Sequence, residues 1–236
     1  MASMTHRIPA RLAWGCALLL GIGLSGCGAS RYTGVSEPAG HVRFTVPDGW
    51  RQVGAAALAA ELKSAIGGSG GAWTVAYEAG PHQKATDFLS FGVAQPFVFA
   101  EYGTLNATAS RQLSDQTLRD FFLPVTSAAR RDAVSKGFPL TSFRQLRDQV
   151  LRLDRGVHGV RETYDYTDDR TGRHQADTWD MDALTDAGHT VIFLLVVHCT
   201  TACYDSYQAE ITHVMSSVTA SRLVQPTGPF SALIDR

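Results

Sequence analysis

The order of apolar and polar positions along the chain predicts a mixture of strands and helices. Val42, Phe44 and Val46 alternate with polar residues, which is typical of a strand with one buried face. Further short strands are predicted at 73–77, 88–93 and 97–102. Three longer strands are predicted at 157–167, 173–183 and 189–199. Because only short polar turns separate these three, they indicate an antiparallel meander.

Apolar residues spaced three or four apart predict helices. One covers the alanine-rich segment 55–66, and an amphipathic helix is predicted over 204–218. Ser114 is a suitable N-cap for a further helix, and another is predicted over 126–136.

The segment 143–153 supports two predictions. Phe143, Leu146, Val150 and Leu153 have the spacing of a helix face. The strands predicted around this segment favour an edge strand instead, and the sequence leaves both open.

One strand indicates how the layers are arranged. Residues 191–197 are apolar at every position, which a strand tolerates when both faces of its sheet are covered. We therefore predict an α+β fold with a single antiparallel sheet and helices on both faces. No internal repeat or change of composition divides the chain, so residues 41–222 are predicted to form one domain and 223–236 a tail.

The N-terminus has the features of a bacterial export signal. Arg7 and Arg11 precede an uncharged run of 13 residues over 12–24, which is too short to span a bilayer. The run ends in Leu24-Ser25-Gly26-Cys27, which resembles the lipobox of bacterial lipoproteins. We predict a signal peptide over 1–26 that is cleaved between Gly26 and Cys27.

The lipobox resemblance implies a membrane anchor. In that family the thiol of the cysteine receives a diacylglyceryl group, so Cys27 is predicted to be lipidated. Two or three acyl chains anchor a protein stably, whereas one binds marginally. Gly28 rather than Asp follows the cysteine, so the resemblance implies no retention at the inner membrane of a two-membrane bacterium. Arginine outnumbers lysine 18 to 3, which suits an actinobacterium, a bacterium with one membrane. We predict an anchor on the outer face of the plasma membrane, with residues 27–40 as a flexible tether.

The charge of the processed chain excludes one class of partner. Loss of Arg7 and Arg11 with the signal leaves 19 basic and 22 acidic residues, a net charge of −3. Nucleic-acid-binding domains are markedly basic, so no nucleic-acid partner is expected.

The cysteines predict one disulfide. Cys16 leaves with the signal and Cys27 carries the lipid, so Cys199 and Cys203 remain as a pair in an exported chain. A spacing of four on a helical turn would place their Cα atoms about 6 Å apart, within disulfide reach. A CxxxC redox pair is the alternative, but it lacks the CxxC spacing.

Two further segments resemble a known family. The domain opens with FTVPDGW over 44–50 and ends with the predicted meander and a helix that closes in Ser216-Ser217-Val218. Together they resemble the PsbP-like group, which includes many actinobacterial lipoproteins of the LpqN type. The resemblance implies an α/β/α sandwich over about 41–220 and an accessory or assembly role. It implies no catalytic residue.

Residues 174–182 contain several potential metal ligands. Alternation places His174, Asp180 and Asp182 on one strand face, with Asp177 nearby. A metal site would need further ligands that the sequence does not identify. We interpret these residues as a solvated strand face, and we interpret Asp165, Asp168 and Asp169 as part of a turn.

The search for catalytic residues gives only weak candidates. The chain has no G-x-S-x-G, P-loop or H-E-x-x-H motif. Ser206, His198 and Asp205 could be written as a triad, but adjacent residues on one helix seldom converge.

Two other residue types have an ordinary structural interpretation. His189 and His198 are interpreted as hydrogen-bonded structural residues at the ends of a buried strand. Trp50 is interpreted as a core residue, with a ligand groove as the alternative.

These observations favour a lipid-anchored envelope protein without catalysis or cofactor, which binds a protein partner or an envelope component. An envelope hydrolase with dispersed active-site residues and a small-ligand carrier are the alternatives. Titratable groups with shifted pKa values in one pocket would favour the hydrolase. A large apolar cavity would favour the small-ligand carrier.

Overall fold

A computed structural model describes residues 32–66, 73–81, 83–168 and 175–224. Within them the strands are β1 (Tyr32–Ser36), β2 (Val42–Pro47), β3 (Arg51–Gln52), β4 (Trp73–Glu78), β5 (Phe97–Thr104), β6 (Leu140–Arg152), β7 (His158–Asp168), β8 (Gln175–Thr185), β9 (Val191–Thr200) and β10 (Thr219–Ala220). The helices are α1 (Ala55–Ile66), α2 (Ala107–Gln112), α3 (Asp115–Arg119), α4 (Ser127–Ser135), α5 (Thr201–Ser206) and α6 (Gln208–Ser216). Single 3-10 turns lie at Ala85–Leu89 and Asp154–Gly156.

The strands form two antiparallel sheets. The main sheet has seven strands in the order β3-β4-β5-β9-β8-β7-β6, and the small sheet has three in the order β1-β2-β10. Consecutive strands β7, β8 and β9 are neighbours, which confirms the predicted meander. The strand β9 lies in the middle of the main sheet and β6 lies at its edge.

Each face of the main sheet has its own apolar core. On one face, Trp179 and Val196 pack with Leu118 of α3 in what we call the helix-side core. On the other face, Leu195 packs with Phe44 of the small sheet and with α6 in the sheet-side core. Successive residues of a strand point to opposite faces of its sheet. Since both faces of the main sheet are covered here, β9 has apolar residues at successive positions and is buried on both sides.

The prediction of a single sheet was wrong. Residues 32–36, predicted as part of a flexible tether, form β1 and pair with β2. Val35 of β1 is buried in the sheet-side core. The fold is mixed α/β with antiparallel sheets, and the small sheet covers much of the face on which only helices were expected.

Several element boundaries also differ from the predictions. The strand predicted at 88–93 is wrong, because Phe88 reaches the helix-side core from a 3-10 turn. Residues 143–152 belong to the edge strand β6, and Leu153 follows its last residue. The helix predicted over 204–218 is interrupted at Tyr207. The folded part extends past 222, since Leu223 is buried.

Some predictions concern residues outside the described ranges. These are the signal peptide, the lipidation site Cys27, the first part of the tether, His174, Asp169 and the tail beyond 224. Among the helices that the structure describes, none combines the length and apolar character needed to cross a bilayer.

Candidate binding site

A groove lies between the surface helix α4 and the edge strand β6. Thr126 caps the start of α4 by accepting a hydrogen bond from the backbone N–H of Ala129 at 3.2 Å. The helix ends at Ser135, and the chain turns away at Gly137, whose φ of 76° is the left-handed conformation that favours glycine. The N–H of Phe138 then donates to the carbonyl of Ala133 at 2.9 Å. This turn directs the chain into β6 and leaves Phe138 at the mouth of the groove.

The groove combines an apolar floor with a positive rim. Its volume is about 550 Å³, and Phe138, Phe143 and Tyr166 contribute rings to its lining. The guanidinium of Arg130 lies 3.9 Å from the centre of the Phe143 ring, a cation–π contact. Arg131 lines the same groove. Aromatic rings beside two arginines suit a ligand that has an apolar part and a negatively charged group.

Exposed apolar side chains are concentrated around this groove. Six large apolar side chains are exposed in the described part of the chain. Five of them lie in one segment, namely Val134, Phe138, Leu146, Val150 and Leu153. The sixth is Val224. We call the surface formed by the groove with Val134, Phe138, Leu146 and Val150 the α4–β6 face. Leu153 follows the last residue of β6 and instead lines a pocket with Val218 and Thr219 beside the small sheet. A contiguous exposed apolar surface often marks an interaction site.

The strand β6 offers a free backbone edge along this face. It is 13 residues long and pairs with β7 on one side, and no described strand lies on its other side. Its register with β7 shifts twice, between Thr141 and Arg144 and between Gln145 and Arg147. Bulges and charged side chains such as these discourage indiscriminate pairing at a sheet edge. The edge can accept an added strand from a partner whose side chains fit.

Ion pairs hold β6 firmly to the rest of the sheet. Arg119 of α3 donates to Asp148 at 2.7 Å and to the buried Glu162 at 3.0 Å, and Gln145 donates to Glu162 at 2.8 Å. Burial and the neighbouring Asp148 raise the pKa of Glu162 to about 7, while the hydrogen bond from Arg119 lowers the pKa of Asp148. The face is therefore a preformed surface on a rigid element.

The acidic residues predicted as a solvated strand face are buried, so that interpretation was wrong. Asp180 accepts hydrogen bonds from Thr163 at 3.1 Å and from Tyr204 of α5 at 2.8 Å. Asp182 accepts from Arg161 at 2.6 Å. Arg161 also donates to the carbonyl of Met215 in α6 at 2.7 Å. The helices α5 and α6 cover this face, and the acids fasten them to the sheet.

Asp177 lies at the start of the same strand and has a different partner. It is buried and accepts hydrogen bonds from the N–H of Gly92 at 2.9 and 3.0 Å. Among the described residues, no group of three or more His, Cys, Asp or Glu side chains is arranged to hold a metal ion. Asp165 and Asp168, predicted in a turn, belong to β7.

His198 does not act as a hydrogen-bonded residue. It is fully buried, and Trp179 stacks on it with ring centroids 4.0 Å apart and planes 4° apart. Neither ring nitrogen makes a hydrogen bond of ordinary geometry to a described group. The nearby backbone of Asp87 and Phe88 raises the pKa of the ring slightly, against the larger effect of burial. Burial lowers the pKa of His198 to about 3, so the ring is neutral.

The hypothetical triad does not assemble. Ser206 lies on the exposed side of α5 and donates to the carbonyl of Ala202 at 2.8 Å, away from the buried His198. Trp50 belongs to the sheet-side core, as its core interpretation predicted. The predicted disulfide between Cys199 and Cys203 is present, with Cα atoms 5.9 Å apart, and joins the end of β9 to α5.

Comparisons with known proteins give only distant similarities. The chain matches no protein-family model and no curated protein sequence. The solution structure of the PsbP protein CyanoP from Synechocystis is similar with a TM-score of 0.44 and 12% identity, over 83% of this chain and 95% of that chain. LpqN, involved in cell envelope biogenesis of Mycobacterium tuberculosis, gives 0.45 and 11%, over 81% and 91%. The Ran-binding protein Mog1p of Saccharomyces cerevisiae gives 0.42 and 8%, over 81% and 96%. Scores and identities this low do not establish a common family.

Proposed function

We propose that this protein is a non-catalytic accessory protein of the cell envelope that binds a partner protein through the α4–β6 face. In this proposal Cys27 carries a lipid and anchors the domain to the outer face of the plasma membrane. One observation supports the binding role above all. Four of the six exposed large apolar side chains in the described residues lie on this face.

The extent of the face favours a protein over a small molecule. The exposed residues continue from Val134 beside the groove to Val150 near the far end of β6. Thirteen residues of strand span roughly 40 Å, far more than a small ligand can contact. Apolar side chains beside arginines are typical of the central part of protein interfaces. We therefore expect an extended partner segment with apolar anchors and carboxylates.

A small-ligand carrier is the second candidate. The groove volume of about 550 Å³ is within the usual range for ligand pockets. Its rings and its two arginines would suit an amphiphilic anion.

A hydrolase has less support. Burial raises the pKa of Tyr166 in the groove to about 12, so its phenol stays protonated and is a poor base at neutral pH. The carboxyls whose pKa values burial raises towards neutrality are buried in strands and do not line the groove; they are Glu162, Asp177 and Asp182.

Site-specific crosslinking in living cells tests the proposed surface. A photoreactive amino acid replaces Leu146 or Val150, and Val224 is the matched control because it is similarly exposed but lies elsewhere. We expect one discrete protein adduct from the first two positions, and its loss when Phe138→Asp is added. Equal adducts from all three positions, or adducts that persist with Phe138→Asp, would contradict the proposed face.

Membrane fractionation tests the anchor. The variant Cys27→Ala should move the protein from the membrane to the soluble or unprocessed fraction. The variant Cys16→Ala is the control, because it removes a cysteine from the same N-terminal segment but outside the lipobox. A Cys27→Ala protein that stays lipidated and processed would overturn the anchor, independently of the crosslinking result.

A further inference from the structure

Two histidines from separate elements meet at one end of the main sheet. His158 begins β7, and His189 lies in the turn between β8 and β9. Their Nε2 atoms are 3.2 Å apart, and their ring centroids are 5.3 Å apart. Both side chains are half-buried and line a shared surface pocket of about 400 Å³. The pair is therefore accessible to a solute.

A backbone carbonyl orients the first of these rings. Nδ1 of His158 lies 3.2 Å from the carbonyl oxygen of Gly156. Because a carbonyl only accepts, the proton belongs on Nδ1, and the lone pair of Nε2 points towards His189. Histidines that bind metals are oriented in the same way by a partner on the second nitrogen.

The second ring is presented by a strained backbone. His189 has a φ of 52°, in the left-handed region that glycine or asparagine occupies at lower cost. The loop around Asp186 holds it there, since the N–H of His189 donates to the Asp186 carbonyl at 3.0 Å. The Asp186 carboxylate accepts from the N–H groups of Thr190 and Val191 at 2.7 and 2.8 Å. Backbone strain that the surroundings enforce occurs mainly at functional sites.

The separation of the two nitrogens fits a metal ion. Zinc binds histidine nitrogen at about 2.0–2.1 Å, so two nitrogens 3.2 Å apart subtend an angle of about 100° at the metal, close to tetrahedral. Imidazole suits Zn²⁺ and Cu²⁺ among the common divalent ions. We propose that His158 and His189 form a binding site for a divalent transition metal ion.

The remaining coordination positions face the pocket. In the described residues the chain supplies two ligands, so water molecules would complete the shell. When the ion binds, His189 changes tautomer: its Nε2 proton is lost and Nδ1 of the same ring takes one up, so the ring stays neutral and both Nε2 lone pairs can face the metal. A site with two protein ligands and open positions binds reversibly and does not hold the fold together.

Metal titration of the full chain tests this site. The protein is purified in detergent through a tag without histidine and titrated with Zn²⁺ by calorimetry and with Cu²⁺ by electron paramagnetic resonance. His189→Asn keeps a residue that tolerates positive φ, and His158→Thr keeps a strand-forming residue. We expect each substitution to weaken Zn²⁺ binding at least tenfold and to reduce the nitrogen coupling in the copper spectrum.

The control is His41→Asn, which removes a half-buried histidine that does not line this pocket. Unchanged binding in the His158 and His189 variants, or an equal loss with His41→Asn, would overturn the site. A measurement without any substitution complements these variants. With ¹⁵N-labelled histidine, Zn²⁺ should shift the Nε2 resonances of two residues, and the absence of such shifts would also refute the proposal.

Discussion

The strands β9 and β6 belong to one sheet and have opposite surroundings. All ten residues of β9 are buried, and it pairs with β5 on one side and β8 on the other. Most side chains of β6 are exposed, and it pairs with β7 alone. Arg144, Arg147 and Arg152 are tolerated in β6 because solvent and neighbouring acids satisfy their charges.

This contrast separates stability from recognition. The central strand contributes apolar area to both cores, where burial is the main stabilising term. The edge strand adds little to either core and keeps its free backbone edge and its exposed apolar side chains. Substitutions in the two strands should therefore have different consequences.

The largest expected effect is a loss of stability at the centre of the sheet. Trp179→Ala removes a fully buried ring that stacks on His198, and it should lower the free energy of unfolding by about 3–5 kcal/mol. Leu146→Ala, on the exposed edge, should change it by about 0.5 kcal/mol or less. Urea denaturation measures the free energy of unfolding of both variants. Equal losses of stability in the two would contradict the distinction between the central strand and the edge strand.

The next effect is a dependence on pH. Burial raises the pKa of Asp177 to about 6, so the folded state takes up a proton more readily than the unfolded state. This aspartate therefore contributes stability at about pH 4 that is lost as the pH rises through 6. His198 acts in the opposite direction, since its lowered pKa removes stability as the pH falls below about 6.5.

A substitution separates these two opposing contributions. Asp177→Asn keeps an acceptor for the N–H of Gly92 but cannot titrate. We expect the stability difference between the unchanged protein and this variant to be larger at pH 4 than at pH 7, by about 2 kcal/mol. The exposed Asp132→Asn is the control, and a difference independent of pH for Asp177→Asn would contradict the raised pKa.

The smallest effect concerns the disulfide at the end of β9. The bond between Cys199 and Cys203 closes a loop of only a few residues, for which the chain-entropy model gives about 2 kcal/mol. The double variant Cys199→Ala and Cys203→Ala should lower the melting temperature by several degrees and leave crosslinking at Leu146 unchanged. Peptide mapping without reductant that found two free thiols in the exported protein would rule out the bond.

Local pattern was sufficient to predict much of the main sheet. The meander β7–β8–β9 follows from three apolar segments joined by short turns, and the disulfide follows from the number of cysteines. The small sheet could not be predicted in the same way, because β10 pairs with β2 from the opposite end of the chain. The spacing of polar residues in β8 indicated a separate face but could not reveal that α5 and α6 cover it.

The ambiguity over 143–153 has a physical cause. A regular strand alternates with a period of two, but the two register shifts in β6 reset that alternation. The apolar residues Phe143, Leu146 and Val150 consequently show helix-like spacings of three and four within an extended strand, and Leu153 follows its last residue. The sequence signal for the proposed binding face was this run of apolar residues among arginines.

The position of β1 limits how far the domain can stand from a membrane. If Cys27 carries the lipid, only five residue steps separate the anchor from Tyr32, a reach of about 18 Å at full extension. The domain would then rest almost on the lipid headgroups with the small sheet nearest to them. Because α4 packs on the opposite side of the main sheet, its groove would point outward, towards whatever approaches the cell from the surrounding wall.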